Sequence, residues 1–218
     1  TLGSQIQQAL SSELAYLAHP VTAPLFLHKI SRRQVRQYKR RERISLGAGD
    51  VIVCVDESGS TEFDDKDAWA KAIAYALVDK VGSQGRCASV IHFSSASEVS
   101  EDLFIPGQYT SEDVMNSARH FYCGGTNYEA PLRKAVSTLD SGVLSKADIV
   151  FITDGQCSIS SVFQDWLCAK LSEHHASITG VLLDSGNNFE FSLKGFCKTI
   201  YRTSELAPSE ILSELVLS

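Results

Sequence analysis

The sequence predicts an α/β fold over residues 49–218, in which a mostly parallel central sheet carries helices on both faces. Two observations support this prediction. Short apolar segments typical of strands alternate with longer segments of helical periodicity from residue 50 onward. The segments at 51–55 and 148–153 are apolar at nearly every position, as in strands that are buried on both faces. Such alternation favours parallel pairing, because each helix carries the chain back across the sheet.

The individual elements follow from the same patterns. Strands are expected at 51–55, 87–93, 97–104, 148–153, 177–183 and 198–203. The segment 97–104 alternates between apolar and polar residues, which indicates an edge strand. Helices are expected at 66–81, 111–121, 127–139, 162–175 and 207–217.

Residues 1–48 are predicted to form a separate, basic, helical extension. One helix is expected over 4–17, where the apolar residues at helical spacing are Ile6, Leu10, Leu14 and Leu17. His19-Pro20 interrupts this pattern, and a second helix is expected from Ala23 into the basic segment 32–43. The extension carries a net charge of +6 and the whole chain −6, so the remaining residues carry −12.

The basic stretch 29–43 admits two interpretations. It could bind nucleic acid or another anionic surface, or it could be a solvated helical arm that contacts an acidic protein surface. Tyr38 is its only aromatic residue, so base stacking is not expected.

Composition excludes several classes of protein. No apolar run approaches the 18 residues of a membrane-spanning helix, and the N-terminal residues lack the features of a signal peptide. The six cysteines form no CxxC pair. We therefore expect reduced thiols in a cytoplasmic protein, and no zinc site built from cysteines.

Polar residues follow two of the predicted buried strands, and a third polar segment precedes a predicted helix. Asp56-Glu57-Ser58-Gly59-Ser60 follows the first strand, and Asp154-Gly155 follows the strand at 148–153. Thr126, after Gly124-Gly125, precedes the helix expected at 127–139. Sites in open parallel sheets form beyond the carboxyl ends of strands. We therefore expect these segments to meet at one edge of the sheet.

Hard oxygen ligands of this kind suit Mg²⁺ or Mn²⁺ better than zinc. Each segment alone also has a structural explanation, since Ser and Asp-Gly are common in turns and helix caps. The combination of all three segments favours a metal site. A site in which most ligands are neutral hydroxyls would leave the ion attracted to one more anionic oxygen from outside.

The pattern DESGS, a distant GGT and a distant TDG resembles the metal-ion-dependent adhesion site (MIDAS) of von Willebrand factor A domains. The resemblance covers about residues 50–218 and implies a Rossmann-like fold. It implies that the metal ligands are Asp56, Ser58, Ser60, Thr126 and Asp154. In such domains a carboxylate of the partner protein completes the coordination of the ion. The resemblance therefore implies a protein-interaction module rather than an enzyme.

The N-terminal segment "LSSELAYLAHPVTAPLFLHKI" has a looser resemblance. It is similar to the segment that precedes the C-terminal von Willebrand A domain in bacterial cytoplasmic proteins that partner MoxR-type AAA+ ATPases. This similarity implies such an ATPase as a partner.

Enzymatic alternatives fit the motifs less well. A Mg²⁺-dependent phosphatase of the haloacid-dehalogenase type also begins with an apolar strand and an aspartate. It needs a second aspartate two residues later as general acid or base, and that position here is Ser58. The G-x-S-x-G elbow of a serine hydrolase is absent, as is the P-loop of an NTPase.

Overall fold

The computed structural model describes residues 2–3, 9–18, 22–36, 49–144, 146–155, 157–183, 192–205, 210–211 and 215. They belong to two compact units, Thr1–Arg43 and Ile44–Ser218. Each unit has buried apolar residues of its own.

The smaller unit combines a short antiparallel ladder with short helices. In chain order its elements are strand β1 (Leu2–Gly3), helix α1 (Ser11–Leu14), a 3₁₀ segment (Ala15–Ala18), helix α2 (Ala23–Ser31) and strand β2 (Val35–Arg36). The strands β1 and β2 pair with each other. Ala9, Phe26 and Val35 form the buried core of this unit.

The first helix is shorter than the sequence predicted. Leu10 lies outside it, and its backbone N–H donates to the carbonyl of Arg36 at 2.9 Å instead of continuing a helix. Leu14 and Leu17, from the predicted apolar face, are 38% and 47% exposed. The prediction of one helix over 4–17 is therefore wrong, although residues 4–8 lie outside the described part of the chain.

The second helix ends before the basic segment into which it was predicted to continue. Arg33 adopts a left-handed conformation with φ of 54°, which stops helical propagation. Val35 then enters β2 and is fully buried. A β-branched residue that fills a core position in a ladder outweighs the local helical spacing. Residues 37–48 lie outside the described residues.

The larger unit contains the predicted, mostly parallel sheet. Its strands are β3 (Val51–Asp56), β4 (Ala88–Phe93), β5 (Val99–Phe104), β6 (Asp148–Thr153), β7 (Ile178–Leu182) and β8 (Thr199–Arg202). The strand order is β5-β4-β3-β6-β7-β8. Every neighbouring pair is parallel except β4 with β5. The predicted edge strand is thus confirmed as β5.

Helices cover both faces of this sheet, which confirms the predicted fold class. They are α3 (Lys66–Ser83), α4 (Ser111–Ala118), α5 (Glu129–Asp140) and α6 (Ser161–Glu173). Of the helix predicted over 207–217, the residues 207–209, 212–214 and 216–217 lie outside the described ones.

Alternate residues of the central strand divide the core into two layers. Val53 packs in one layer with Ile73 of α3. Cys54 packs in the other layer with Leu132 of α5 and Leu167 of α6. Full burial of one such aliphatic side chain contributes about 1.5–3 kcal/mol. The two layers hold β3 rigidly, so the residues that follow β3 start from a fixed position.

Candidate metal site

Asp56 and Asp154 lie at the same edge of the sheet, at the carboxyl ends of β3 and β6. These strands pair in parallel with Val55 opposite Ile152, so the residues that follow them meet there. Thr153, the last residue of β6, donates a hydrogen bond from Oγ1 to Oδ2 of Asp56 at 2.5 Å. Both aspartates are buried.

Ser58 and Ser60 follow Asp56 in a tight turn that brings their hydroxyls together. The backbone N–H of Ser58 donates to Oδ1 of Asp56 at 3.0 Å. A 3₁₀ segment, Gly59–Asp65, begins directly after Ser58. The Oγ atoms of Ser58 and Ser60 are 3.1 Å apart. Gly59 has no positive φ, so the 3₁₀ geometry turns the chain, and the conformational freedom of glycine is not required there.

Thr126 follows a Gly-Gly pair whose backbone packs closely against its neighbours. The N–H of Gly59 donates to the carbonyl of Gly124 at 2.9 Å. The hydroxyl of Ser94 accepts from the N–H of Gly124 at 3.0 Å and donates to the carbonyl of Gly125 at 2.7 Å. A Cβ at position 124 would lie 2.7 Å from Oγ of Ser94. The close approach of the backbone at position 124 to Ser94 therefore requires glycine there.

Thr126 is also close to the loop that follows β6. Its carbonyl accepts a hydrogen bond from Sγ of Cys157 at 3.5 Å, three residues beyond Asp154. The segment that carries Thr126 thus lies between the turn after β3 and the loop after β6. All five residues predicted as metal ligands belong to segments that meet at this edge.

The hydroxyl of Thr153 joins several of these groups, and sequence reasoning missed it. Besides its bond to Asp56, its Oγ1 lies 2.8 Å from the hydroxyl of Tyr128 and accepts the N–H of Gly155 at 3.1 Å. Gly155 has a φ of 86°, which glycine adopts without steric cost. One signal was available in the sequence: Thr153 is a hydroxyl residue at the last position of an otherwise apolar strand.

Comparison with known proteins identifies the larger unit. The family model of the von Willebrand factor type A domain matches residues 51–156, which include every residue of the predicted metal site. By this match, residues 51–156 form a von Willebrand factor type A (VWA) domain. Such domains are generally metal-binding interaction modules.

An uncharacterised relative of this chain occurs in Methanocaldococcus jannaschii. It is the protein MJ0077, which is 27% identical over 217 residues. The match covers 99% of this chain and 54% of that protein. The chain therefore spans about half the length of that relative.

Solved VWA structures share the fold. A von Willebrand factor type A protein from Catenulispora acidiphila has a TM-score of 0.56 and 16% identity, over 76% of this chain and 40% of that one. Proximal thread matrix protein 1 of the mussel byssus, with a zinc-occupied MIDAS motif, has a TM-score of 0.56 and 21% identity. That match covers 77% of this chain and 46% of the mussel protein.

Within the described residues, no helix combines the length and the apolar character that crossing a membrane requires.

The oxygen atoms of the VWA site fit a divalent cation. Neighbouring ligands in an octahedron with bonds of about 2.1 Å are roughly 3.0 Å apart, and the hydroxyls of Ser58 and Ser60 are 3.1 Å apart. Asp56 and Asp154 are both buried, and burial is the main cause that raises the pKa of Asp56, to which the charge of Asp154 adds. A cation between the two carboxylates would offset this repulsion.

Burial has the largest effect on the pKa of Asp56. Desolvation raises its pKa to about 6, and the hydrogen bonds from Thr153 and Ser58 only partly oppose that effect. The carboxylate is thus costly to keep charged in the absence of a metal.

We expect the stability of the metal-free VWA domain to decrease as the pH rises through the pKa of Asp56. That pKa is about 6 in the folded state and about 3.9 when unfolded, so the folded state binds more protons between these values. The stabilisation is fully present below pH 4 and is lost above pH 6, and amounts to at most about 3 kcal/mol. Denaturation in EDTA between pH 4 and 7 should show this slope in the wild type and a smaller one in Asp56→Asn. Parallel pH profiles of the two proteins would contradict it.

A second cluster, which sequence patterns did not predict, lies directly beside the predicted metal site. Side chains alternate along a strand, so Glu57 points to the opposite side of the sheet from Asp56. Glu57 is fully buried, and its carboxylate contacts the imidazoles of His92 and His120. These residues are 35 and 63 positions away in the sequence, so no local pattern could reveal the contact.

Proposed function

We propose that this chain is a metal-dependent protein-interaction module. In this proposal Mg²⁺ or Mn²⁺ is held by Asp56, Ser58, Ser60, Thr126 and Asp154. A carboxylate of a partner protein then completes the coordination. The module comprises residues 49–218, and residues 1–48 form its basic N-terminal extension.

The observation that carries this proposal is the convergence of the serine hydroxyls and the two buried aspartates at one sheet edge. The spacing of the Ser58 and Ser60 hydroxyls supports octahedral coordination. Three of the five proposed ligands are neutral, so the bound ion would keep positive charge for a partner's carboxylate. Charge-assisted contacts of this kind favour specificity between partners.

We propose that the module has no catalytic role of its own. In the alternative of a haloacid-dehalogenase-like phosphatase, the residue two positions after Asp56 would act as general acid or base. That residue is Ser58, whose hydroxyl instead lies beside that of Ser60. Phosphatase activity that depends on Asp56 would favour the alternative.

The first candidate for the partner is a MoxR-type AAA+ ATPase in the cytoplasm. This proposal rests on the resemblance of the N-terminal segment, which is independent of the metal site. The second use proposed for the extension, binding of nucleic acid through residues 29–43, has less support. Within that stretch, Lys29 forms an ion pair of 2.7 Å with the buried Glu13, so its charge is used inside its own unit.

Metal-dependent capture tests the proposed function. The chain is immobilised and offered a purified MoxR-type ATPase, and separately a cell extract, in Mg²⁺ or in EDTA. We expect specific proteins to bind in Mg²⁺ and to be released by EDTA. The Thr126→Ala variant, tested in parallel, should capture none of them. Binding that survives both EDTA and the substitution would contradict the proposal.

A further inference from the structure

Glu57, His92 and His120 form a compact cluster on the side of β3 opposite to Asp56. Oε1 of Glu57 lies 2.7 Å from Nδ1 of His92, and Oε2 lies 2.8 Å from Nδ1 of His120. One potential ligand atom from each of the three residues lies within 4.8 Å of the others. Glu57 and His92 are fully buried, whereas His120 is 36% exposed.

A second layer of contacts orients the buried imidazole. Nε2 of His92 is 3.0 Å from Oγ of Ser117 and 3.3 Å from Oδ2 of Asp102. Oxygen partners at Nε2 can hold the proton on that nitrogen, which leaves Nδ1 as the atom available to a metal. Histidine ligands of metals are commonly oriented by a carboxylate or another oxygen at the second ring nitrogen.

The cluster can be reached from solvent. Between β5 and α4 lies a cavity of about 510 Å³, and Asp102, Ser117 and His120 line it. Asp113 also lines the cavity. The cavity is thus lined by two acidic side chains, Asp102 and Asp113, which favour a cation. The cavity offers an entry route, and it has room for water at the remaining coordination positions.

We propose that Glu57, His92 and His120 bind a divalent transition metal, with zinc as the preferred ion, at a site separate from the MIDAS. Two imidazoles and one carboxylate are a ligand set that suits zinc and disfavours Mg²⁺. Zinc ligands at about 2.0–2.1 Å in a tetrahedron are roughly 3.3 Å apart. The two Glu57–histidine contacts of 2.7 and 2.8 Å would therefore each lengthen by about 0.5–0.6 Å on binding. A pair of ligand atoms at the 4.8 Å limit would approach by about 1.5 Å, and side-chain rotations allow both changes.

Lys71 opposes the proposed ion and so provides a test. Its ammonium group lies 3.8 Å from Oε1 of Glu57 and donates to the backbone carbonyl of His120. In the absence of a metal, this charge helps to compensate the buried carboxylate. With a metal bound, the two cations repel each other. Removing the lysine charge should therefore strengthen binding of the metal.

The proposed ion would connect three separate parts of the VWA domain. Glu57 follows β3, His92 lies in β4, and His120 precedes the segment of Gly124 and Thr126. The N–H of Cys123 already donates to the carbonyl of Glu57 at 3.0 Å. A zinc ion here would fasten the segment of Thr126 to the end of the central strand. The site itself does not depend on the MIDAS being occupied.

Metal binding to a chain that carries Thr126→Ala tests the proposal, because this background weakens the MIDAS independently. After treatment with a chelator, the protein is loaded with Zn²⁺ and the retained metal is counted. Co²⁺ then serves as a spectroscopic probe of nitrogen ligands. We expect one retained equivalent of zinc, and at least tenfold weaker binding when His120→Asn or His92→Asn is added. The matched control His175→Asn changes an exposed histidine elsewhere and should bind as before, and Lys71→Met should bind more tightly.

Three outcomes would overturn the proposal. The first is the absence of stoichiometric zinc in the Thr126→Ala protein at micromolar free zinc, a test that needs no substitution in the cluster itself. The second is undiminished zinc binding when the partly exposed His120 is replaced by asparagine. The third is destabilisation by Lys71→Met without tighter zinc binding, which would make the cluster a purely structural ion-pair network.

Discussion

Replacing Thr126 with alanine should abolish binding of both the ion and the partner, whereas Thr126→Ser should retain both. The alanine variant lacks one hydroxyl ligand, and the serine variant keeps an Oγ at the same position. Loss of groups that only orient a metal ligand commonly costs 10–100-fold in affinity, so the loss of a direct ligand should cost at least about tenfold. Calorimetric titration with Mg²⁺ and Mn²⁺ measures this effect.

The pair Ser58→Ala with Ser60→Ala should reproduce the loss seen in Thr126→Ala. The two hydroxyls lie 3.1 Å apart, so removing both deletes one side of the proposed coordination sphere. The fold should persist, because the 3₁₀ segment after Ser58 is formed by the backbone. Circular dichroism provides the control for folding. Unchanged affinity for Mg²⁺ and Mn²⁺ in the double variant would show that these serines do not bind the ion.

Replacing Gly124 with alanine should weaken both the fold and the site, whereas Gly125→Ala should have little effect. A Cβ at 124 would lie 2.7 Å from Oγ of Ser94 and even closer to Oε2 of Glu98. Ser94 is fully buried and holds two hydrogen bonds to the Gly-Gly backbone. A Cβ at 125 would lie 3.9 Å from its nearest neighbour, Cβ of Ser95, which is ordinary contact.

We expect Gly124→Ala to lower the free energy of unfolding by about 1–3 kcal/mol. We also expect it to weaken ion binding, because the segment of Thr126 must move away from the turn after β3. Urea denaturation and titration of both glycine variants measure these effects. Equal behaviour of Gly124→Ala and Gly125→Ala would contradict the proposed role of close backbone approach.

The sequence predicted the larger unit well because its signals are local. The buried strands β3 and β6 appear as apolar runs in the sequence. Asp56 is the last residue of β3, and Asp154 directly follows β6. Strand alternation with helices then requires both aspartates to lie at one edge of the sheet. Thus periodicity and chain order were sufficient to bring the predicted ligands together.

The parts that sequence reasoning missed depend on tertiary contacts. Val35 fits a helical spacing, yet packing against Phe26 and Ala9 places it in a strand. Glu57 occupies a variable position of a recognised motif, and its partner His120 is 63 residues away. Neither the strand at Val35 nor the contact of Glu57 leaves a periodic signature in the sequence.

The most direct test of the central claim is the affinity of an identified partner for the wild type and for Thr126→Ala, each measured in Mg²⁺ and in EDTA. If the ion bridges the partner's carboxylate to this site, EDTA should reduce the affinity of the wild type to that of the variant. EDTA should then have no further effect on the variant, since the two changes remove the same interaction. Full partner affinity in a Thr126→Ala protein that has lost the ion would contradict the account and would make the metal purely structural.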